Sequence, residues 1–293
     1  MKYVIDLLRF FPFVLALFFS SHKEIVAQSH SLLKAYFLLA LLFIPLSISV
    51  NLIIKTFSEN KNSTGEKPST KEACFFYARL ICCFLAMIVA LQLLRLHLTD
   101  ITFYIIVIMM MLKAAELRFA KKILPYLFLV FIFDTIAGCV SFRLLRIYNI
   151  DIVLMCSIPL ALMTTSVYLA QYIETQFKKL TNTEKNNRKA KRLSEPLLEV
   201  PLSLVRFSKG YAGLIIAAPS LIGILIPLHI LSVYYQATLL TILAALPVIN
   251  QLYKTPKTAI LPRHFTLKSA GLCALFVVML GVAATLEQLY PFL

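Results

Sequence analysis

The chain lacks the short motifs that mark several large classes of catalytic site. It has no glycine-rich phosphate loop, no GxSxG sequence and no recognisable ATP-binding motif, which excludes active pumping by a built-in ATPase. Its five histidines are scattered and its six cysteines form no CxxC pair, so no metal-type cluster is visible. We interpret the cysteines, which fall in or at the ends of apolar stretches, as small buried residues.

Acidic residues are scarce as well. The chain has 14 Asp and Glu against 29 Lys and Arg, a formal net charge of +15. Because no separate basic domain exists, we expect no nucleic-acid partner. Basic loops beside a membrane attract anionic lipid headgroups and anionic diphosphate substrates alike.

Apolar residues dominate what is present. They make up 60% of the chain, and the mean hydropathy is +0.83, which is more than a soluble domain of this length can bury. A helix needs about 20 apolar residues to cross ~30 Å of hydrocarbon. The pattern predicts nine membrane-spanning helices, at 4–20, 32–54, 74–96, 98–116, 123–142, 151–173, 211–230, 232–252 and 268–290.

These spans predict an all-α polytopic membrane protein. The runs are apolar throughout, whereas transmembrane strands alternate apolar and polar residues. The first span is short and contains Asp6 and Arg9, so a cleaved signal peptide is the alternative to a retained helix. We favour the retained helix, because no clear small-residue cleavage site follows Phe18 to Ser21.

Lys and Arg are distributed unevenly around the predicted spans. All but five of them fall on the N-terminal side of the membrane, the exceptions being Lys23, Lys34, Arg95, Arg143 and Arg146. Since cytoplasmic loops retain positive charge, we expect the N-terminus and the basic loops to be cytoplasmic and the C-terminus to lie outside. The predicted location is the cytoplasmic membrane of a bacterium, or an equivalent membrane.

Two long polar stretches interrupt the apolar pattern, 55–73 after the second span and 174–201 after the sixth. Their offset of four helices indicates a four-helix pseudo-repeat, which would place both loops on the same membrane face. We therefore predict a single transmembrane domain over 1–293, with two cytoplasmic loops at the mouth of one central cavity.

Several segments carry a resemblance to a known family. Asn51 and Leu52 close the second span, and Gly65–Ala73 (GEKPSTKEA) is similar to the pattern RP-x-x-S-G-x-x-x-x-x-A. Leu169–Thr175 (LAQYIET) is similar to the pattern NNxRDxxxD. The segment 239–284 has the spacing of the last two helices of the same family. With its nine spans and two loops, the chain resembles the UbiA superfamily of intramembrane prenyltransferases. The branch it resembles most is the one that prenylates dihydroxynaphthoate in menaquinone synthesis.

The resemblance implies a fold and a reaction. The fold is a UbiA-like bundle, and the reaction is transfer of a polyprenyl group from its diphosphate to an aromatic acceptor in quinone biosynthesis. In that family, aspartates in both loops hold Mg²⁺ against the diphosphate while the allylic C–O bond breaks. Neither loop of this chain contains an aspartate, so both aspartate-rich motifs are degenerate.

Two interpretations of the loop residues follow from the resemblance. In the first, Glu59, Asn60 and Glu174 supply oxygen ligands for Mg²⁺. In another form of this interpretation, Lys55 and Lys178 replace the metal and pair directly with the diphosphate, and Asn51 and Gln171 are further diphosphate contacts. In the second, all of these are solvated residues on a scaffold that has lost its transferase chemistry.

Two functions from other classes stay open. One is a non-catalytic UbiA-fold membrane protein that binds a lipid or a partner membrane protein, which the missing aspartates favour. The other is a small secondary transporter, motivated by Asp134, the one acid in the middle of a predicted span. A structural hydrogen bond to a neighbouring helix explains Asp134 equally well.

Overall fold

The computed structural model of the protein describes residues 122–144, 150–191, 201–228, 231–258 and 264–290, with isolated positions between 77 and 112. Within the five continuous ranges, the chain forms α-helices and one 3₁₀ segment, and no strand. The helices are α1 (Ile123–Leu144), α2 (Ile150–Lys191), α3 (Leu202–Leu225), α4 (Leu240–Thr258) and α5 (Phe265–Leu289). The 3₁₀ segment, Val233–Leu239, lies directly before α4.

Five segments of the described ranges are long and apolar enough to cross a membrane. They are Ile123–Val140, Cys156–Thr181, Leu202–Leu225, Val233–Lys254 and Phe265–Glu287. Their outward faces carry exposed large apolar side chains such as Ile224, Leu243 and Val278. Such a surface is stable in hydrocarbon, where helices satisfy their own backbone groups. The protein is therefore an integral membrane protein, and the all-helical class is confirmed for the described ranges.

The remaining predicted spans, at 4–20, 32–54, 74–96 and 98–116, lie outside the continuous described ranges. The count of nine spans and the four-helix pseudo-repeat consequently stay predictions.

The end of α2 and the start of α3 differ from the bounds of the predicted spans. Residues 174–191, assigned from sequence to a polar loop, continue α2, and α3 begins at Leu202 rather than at 211. Once a helix is nucleated in apolar surroundings, each further residue is added at low cost. Glu, Lys, Arg and Ala, which are frequent in 184–191, also favour the helix.

The chain divides into two compact units, of which one contains α1 and the other contains α2 to α5. In the second unit α2 is central, since 78% of its apolar span is buried against 33% of the span from Val233 to Lys254. Thr164, Thr165 and Ser166 donate their hydroxyl hydrogen bonds to backbone carbonyls of α2 itself. The central helix thus satisfies its own buried hydroxyls at these three positions.

Side-chain contacts establish how the helices of this second unit lie against each other. Tyr172, late in the span of α2, packs edge-on against Phe207, early in α3, with ring centroids 5.3 Å apart. Tyr211 of α3 lies 2.7 Å, oxygen to oxygen, from Ser269 in the second turn of α5. The end of the α2 span therefore lies beside the starts of both α3 and α5.

The unit formed by α2 to α5 consequently has two distinct ends. We call the first the basic end: the last turns of the α2 span and the first turns of α3 and α5. We call the second the tyrosine end: the 3₁₀ segment and the last turns of α5, with Tyr234, Tyr235, Glu287 and Tyr290.

Candidate functional site

Glu174 is the centre of a hydrogen-bonded cluster at the basic end. Its side chain is mostly buried, and its Oε2 accepts hydrogen bonds from the backbone N–H of Thr266 (3.0 Å) and from the Thr266 hydroxyl (2.6 Å). Its Oε1 accepts a third hydrogen bond, from the Lys178 ammonium at 2.6 Å. One carboxylate thus connects two positions of α2 to the first turn of α5.

The first turn of α5 explains why a carboxylate lies there. Thr266 is the second residue of α5, and the first N–H groups of a helix have no acceptor within the helix. His264, the residue immediately before α5, has a left-handed backbone with φ of 54° and provides no side-chain cap. Glu174 supplies the acceptor from another helix, and its negative charge is favourable beside a helix N-terminus.

Lys178 combines an ion pair with high exposure. It is one helical turn after Glu174, the spacing at which side chains on one helix face meet. Its side chain is 68% exposed, whereas that of Glu174 is 11% exposed. An ammonium group has three N–H donors, and the bond to Glu174 uses one of them. The Lys178 ammonium therefore pairs with Glu174 through one N–H and exposes the remaining donors to solvent.

Further cations lie on the helix segments that form the basic end. Apart from Lys178, the exposed basic side chains of the basic end are Lys179, Arg206, Lys209 and Lys268. Among the side chains that the structure describes at this end, Glu174 is the only acid. Among the described side chains of this end, exposed cations therefore outnumber acids, and an excess of positive charge attracts anions to a protein surface.

Three of the residues predicted to contact substrate or metal lie on α2 and share one helix face. They are Gln171, Glu174 and Lys178, spaced three and four positions apart. Gln171 is half-buried, and its backbone carbonyl accepts a hydrogen bond from the Thr175 hydroxyl. Asn51, Lys55, Glu59 and Asn60 lie outside the described residues, so the meeting of the two polar stretches over one cavity stays a prediction.

The described residues fit a divalent cation poorly. Mg²⁺ requires a near-octahedral set of oxygen ligands, usually including one or two carboxylates. The only carboxylate described at the basic end already accepts three protein hydrogen bonds. Within the described part of the chain, no group of three or more His, Cys, Asp or Glu side chains could hold a metal ion.

Sequence reasoning missed Thr266 as a member of this cluster, and it missed Arg206 and Lys209 as cations of the basic end. Nothing in the sequence around Thr266 signals a partner 92 positions earlier, because the contact depends on how α5 packs against α2. Arg206 and Lys209 did carry a signal, since two cations three positions apart begin an otherwise apolar helix. That pattern is also typical of cationic residues at a membrane boundary.

Asp134 lies in α1, in the other compact unit, and is 1% exposed. Its neighbour Thr135 donates its hydroxyl hydrogen bond to the carbonyl of Phe131 on the same helix. Burial of an acid at this position is compatible with both interpretations made from the sequence, a structural hydrogen bond and a transport pathway.

The comparisons with known proteins add no relative. No protein-family model matches the chain, and neither a curated protein nor a solved structure matches it. The likeness to the UbiA superfamily therefore stays a prediction from the sequence.

Proposed function

We propose that the protein binds the diphosphate group of a polyprenyl lipid at its basic end. The observation that carries this proposal is that, among the described side chains of this end, exposed cations outnumber the one acid, which is paired with Lys178. Lys and Arg side chains recognise phosphate oxygens through charge-assisted hydrogen bonds. The apolar helix faces beside them suit the isoprenoid tail of the same molecule.

The reaction proposed is the one that the resemblance to UbiA enzymes implies. The allylic C–O bond of the polyprenyl diphosphate breaks, and the diphosphate leaves with the bonding electron pair. An aromatic carbon of the acceptor then forms the new C–C bond and loses its proton. Lys178, with Arg206 and Lys209, would balance the charge of the departing diphosphate. Transfer of this kind would place the enzyme in quinone biosynthesis, with the basic end facing the cytoplasm.

One observation favours a second candidate, a non-catalytic protein that binds an anionic polyprenyl lipid without transferring it. Both oxygens of Glu174 are engaged with Lys178 and Thr266, so this carboxylate serves the packing of α5. A carboxylate with that role is poorly suited to hold a catalytic metal ion.

Binding of a prenyl diphosphate to the purified protein in lipid nanodiscs tests the proposal. We expect binding in EDTA as well as in Mg²⁺, and a loss of at least about tenfold in the Lys178→Ala/Arg206→Ala/Lys209→Ala variant, because each cation contributes roughly 0.5–1 kcal/mol near a surface. Lys122→Ala, which removes an exposed cation from the other compact unit, is the matched control.

The outcomes separate the two candidates. Formation of prenylated dihydroxynaphthoate, detected by mass spectrometry, would support the transferase, and binding without product would support the non-catalytic protein. Equal binding by the triple variant and the wild type, or no binding by either, would contradict the proposal.

A further inference from the structure

The Lys178 ammonium pairs with Glu174 and is also exposed to an anion that binds at the basic end. Glu174 Oε1 lies 2.6 Å from Lys178 Nζ, a short charge-assisted hydrogen bond. An anion that reaches the exposed side of Lys178 meets a cation whose charge is already largely balanced by its neighbour. Its attraction to Lys178 is therefore weaker than the attraction to an isolated ammonium.

Glu174 does not readily give way to such an anion. Thr266 donates two hydrogen bonds to Oε2, at 3.0 and 2.6 Å, and Thr266 is only 2% exposed. Moving the carboxylate away would leave two buried donors of α5 without an acceptor, which is unfavourable in apolar surroundings. Thr266 thus fixes the position of the Glu174 carboxylate through Oε2, while Oε1 pairs with Lys178.

We infer that Glu174 restrains the anion site by competing with a bound phosphate group for Lys178, and so keeps the affinity of the basic end below what its cations alone would provide. The inference rests on the proposed function, because it requires that Lys178 contacts the phosphate. It assigns Glu174 a role opposite to that of a metal ligand: a metal ligand strengthens diphosphate binding, whereas a competitor for Lys178 weakens it.

Glu174→Gln is the variant that separates these roles. The Gln amide oxygen can still accept both hydrogen bonds from Thr266, so the contact between α2 and α5 is kept. The amide has no charge, so the ion pair with Lys178 is lost and the full positive charge becomes available to a ligand. Removing one negative charge close to a largely exposed cation is expected to tighten anion binding by about three- to tenfold at low salt.

The measurement is the dissociation constant of inorganic pyrophosphate for the full-length protein in neutral-lipid nanodiscs, in EDTA and again in Mg²⁺. We expect the Glu174→Gln variant to bind more tightly than the wild type in EDTA, and the difference to shrink at about 0.5 M salt, where exposed charges are screened. Glu287→Gln is the matched control, because it removes the same charge from the tyrosine end, and its affinity should equal that of the wild type.

Two further variants keep the result interpretable. Thr266→Val removes one hydrogen bond to Glu174 but leaves its charge beside Lys178, so its pyrophosphate affinity should not rise. Lys178→Met in the Glu174→Gln background should abolish the gain, because the freed charge belongs to Lys178. A gain that persists in this double variant would overturn the inference.

The remaining outcomes distinguish failure of the inference from failure of the proposed function. Unchanged or weaker binding by Glu174→Gln in EDTA overturns the inference. If the weaker binding occurs in Mg²⁺, a metal-ligand role for Glu174 takes its place. If the wild type fails to bind a prenyl diphosphate while the gain for pyrophosphate is observed, the polyprenyl ligand of the proposed function is wrong. Contact of Lys178 with a phosphate group, and its restraint by Glu174, then stand.

Discussion

The basic end and the tyrosine end of the α2–α5 unit each contain one glutamate with a hydrogen-bonded partner on another element. Glu174 accepts two hydrogen bonds at the N-terminus of α5 and a third from Lys178. Glu287, near the C-terminus of α5, accepts one hydrogen bond, from the Tyr235 hydroxyl at 3.0 Å. Glu174 thus lies at a favourable helix terminus beside a cation, whereas Glu287 lies at an unfavourable terminus and its described partner is a neutral phenol.

The difference shows what each end can do. At the N-terminus of a helix, free N–H groups need an acceptor and the helix dipole favours negative charge, so Glu174 stabilises the packing of α5. At the C-terminus the dipole disfavours a carboxylate, and a neutral phenol is the partner. Tyrosine is also frequent where a membrane meets water, which agrees with Tyr234, Tyr235 and Tyr290 lying together at this end.

The largest effect that the comparison predicts is on the contact between α2 and α5. Glu174→Ala leaves the buried N–H and hydroxyl of Thr266 without their acceptor, and we expect a loss of about 2–4 kcal/mol in stability. The midpoint of thermal unfolding in detergent should fall by about 5–10 °C. Glu287→Ala is the control at the other end, and a decrease as large as that of Glu174→Ala would remove the distinction between the two ends.

An intermediate effect is expected for the second buried contact of the basic end. Ser269 donates its hydroxyl hydrogen to the carbonyl of Phe265, so Tyr211 is the donor in the Tyr211–Ser269 hydrogen bond. Tyr211→Phe removes that donor and keeps the ring, which packs against Phe265. We expect a loss of about 1 kcal/mol, measured by thermal unfolding. A variant as unstable as Glu174→Ala would show that the cluster around Glu174 is not the principal contact.

The smallest effect is expected at the tyrosine end. Tyr235→Phe keeps the buried ring and removes one hydrogen bond to Glu287, whose side chain is partly exposed and can bind water instead. We expect a loss of about 0.6 kcal/mol, the average for a hydrogen bond between membrane helices. Pyrophosphate binding should not change, and a change in it would mean that the two ends do not act separately.

Much of the helical architecture could be predicted from the sequence, while the helix ends could not. The spans predicted at 123–142 and 268–290 agree closely with α1 and α5, because long apolar runs have one stable arrangement in hydrocarbon. Exposed polar residues farther along, such as Lys178 and Lys179, carry no such constraint, since water can solvate them in a helix or in a loop. Their helical state follows from the preceding turns of α2.

For the candidate site, some of the residues could be predicted from the sequence, but their hydrogen-bond partners could not. Glu174 and Lys178 were predicted as neighbours of a diphosphate, and their spacing already allowed an ion pair. The sequence did not predict that Thr266 would donate two hydrogen bonds to Glu174 Oε2. Nor did it predict that a residue interpreted as a metal ligand would cap another helix. Hydropathy locates a helix in the membrane without specifying which neighbour its first turn contacts.

The sequence by itself determined that this is a helical membrane protein with a marked excess of positive charge, because composition and the length of apolar runs decide both properties. Only the tertiary structure decided the partners of Glu174. The first turn of α5 has N–H groups that no residue of its own caps, and packing brings a carboxylate of α2 within hydrogen-bonding distance of them. Pairing between distant helices depends on three-dimensional packing, which a one-dimensional pattern of apolar and charged residues does not record.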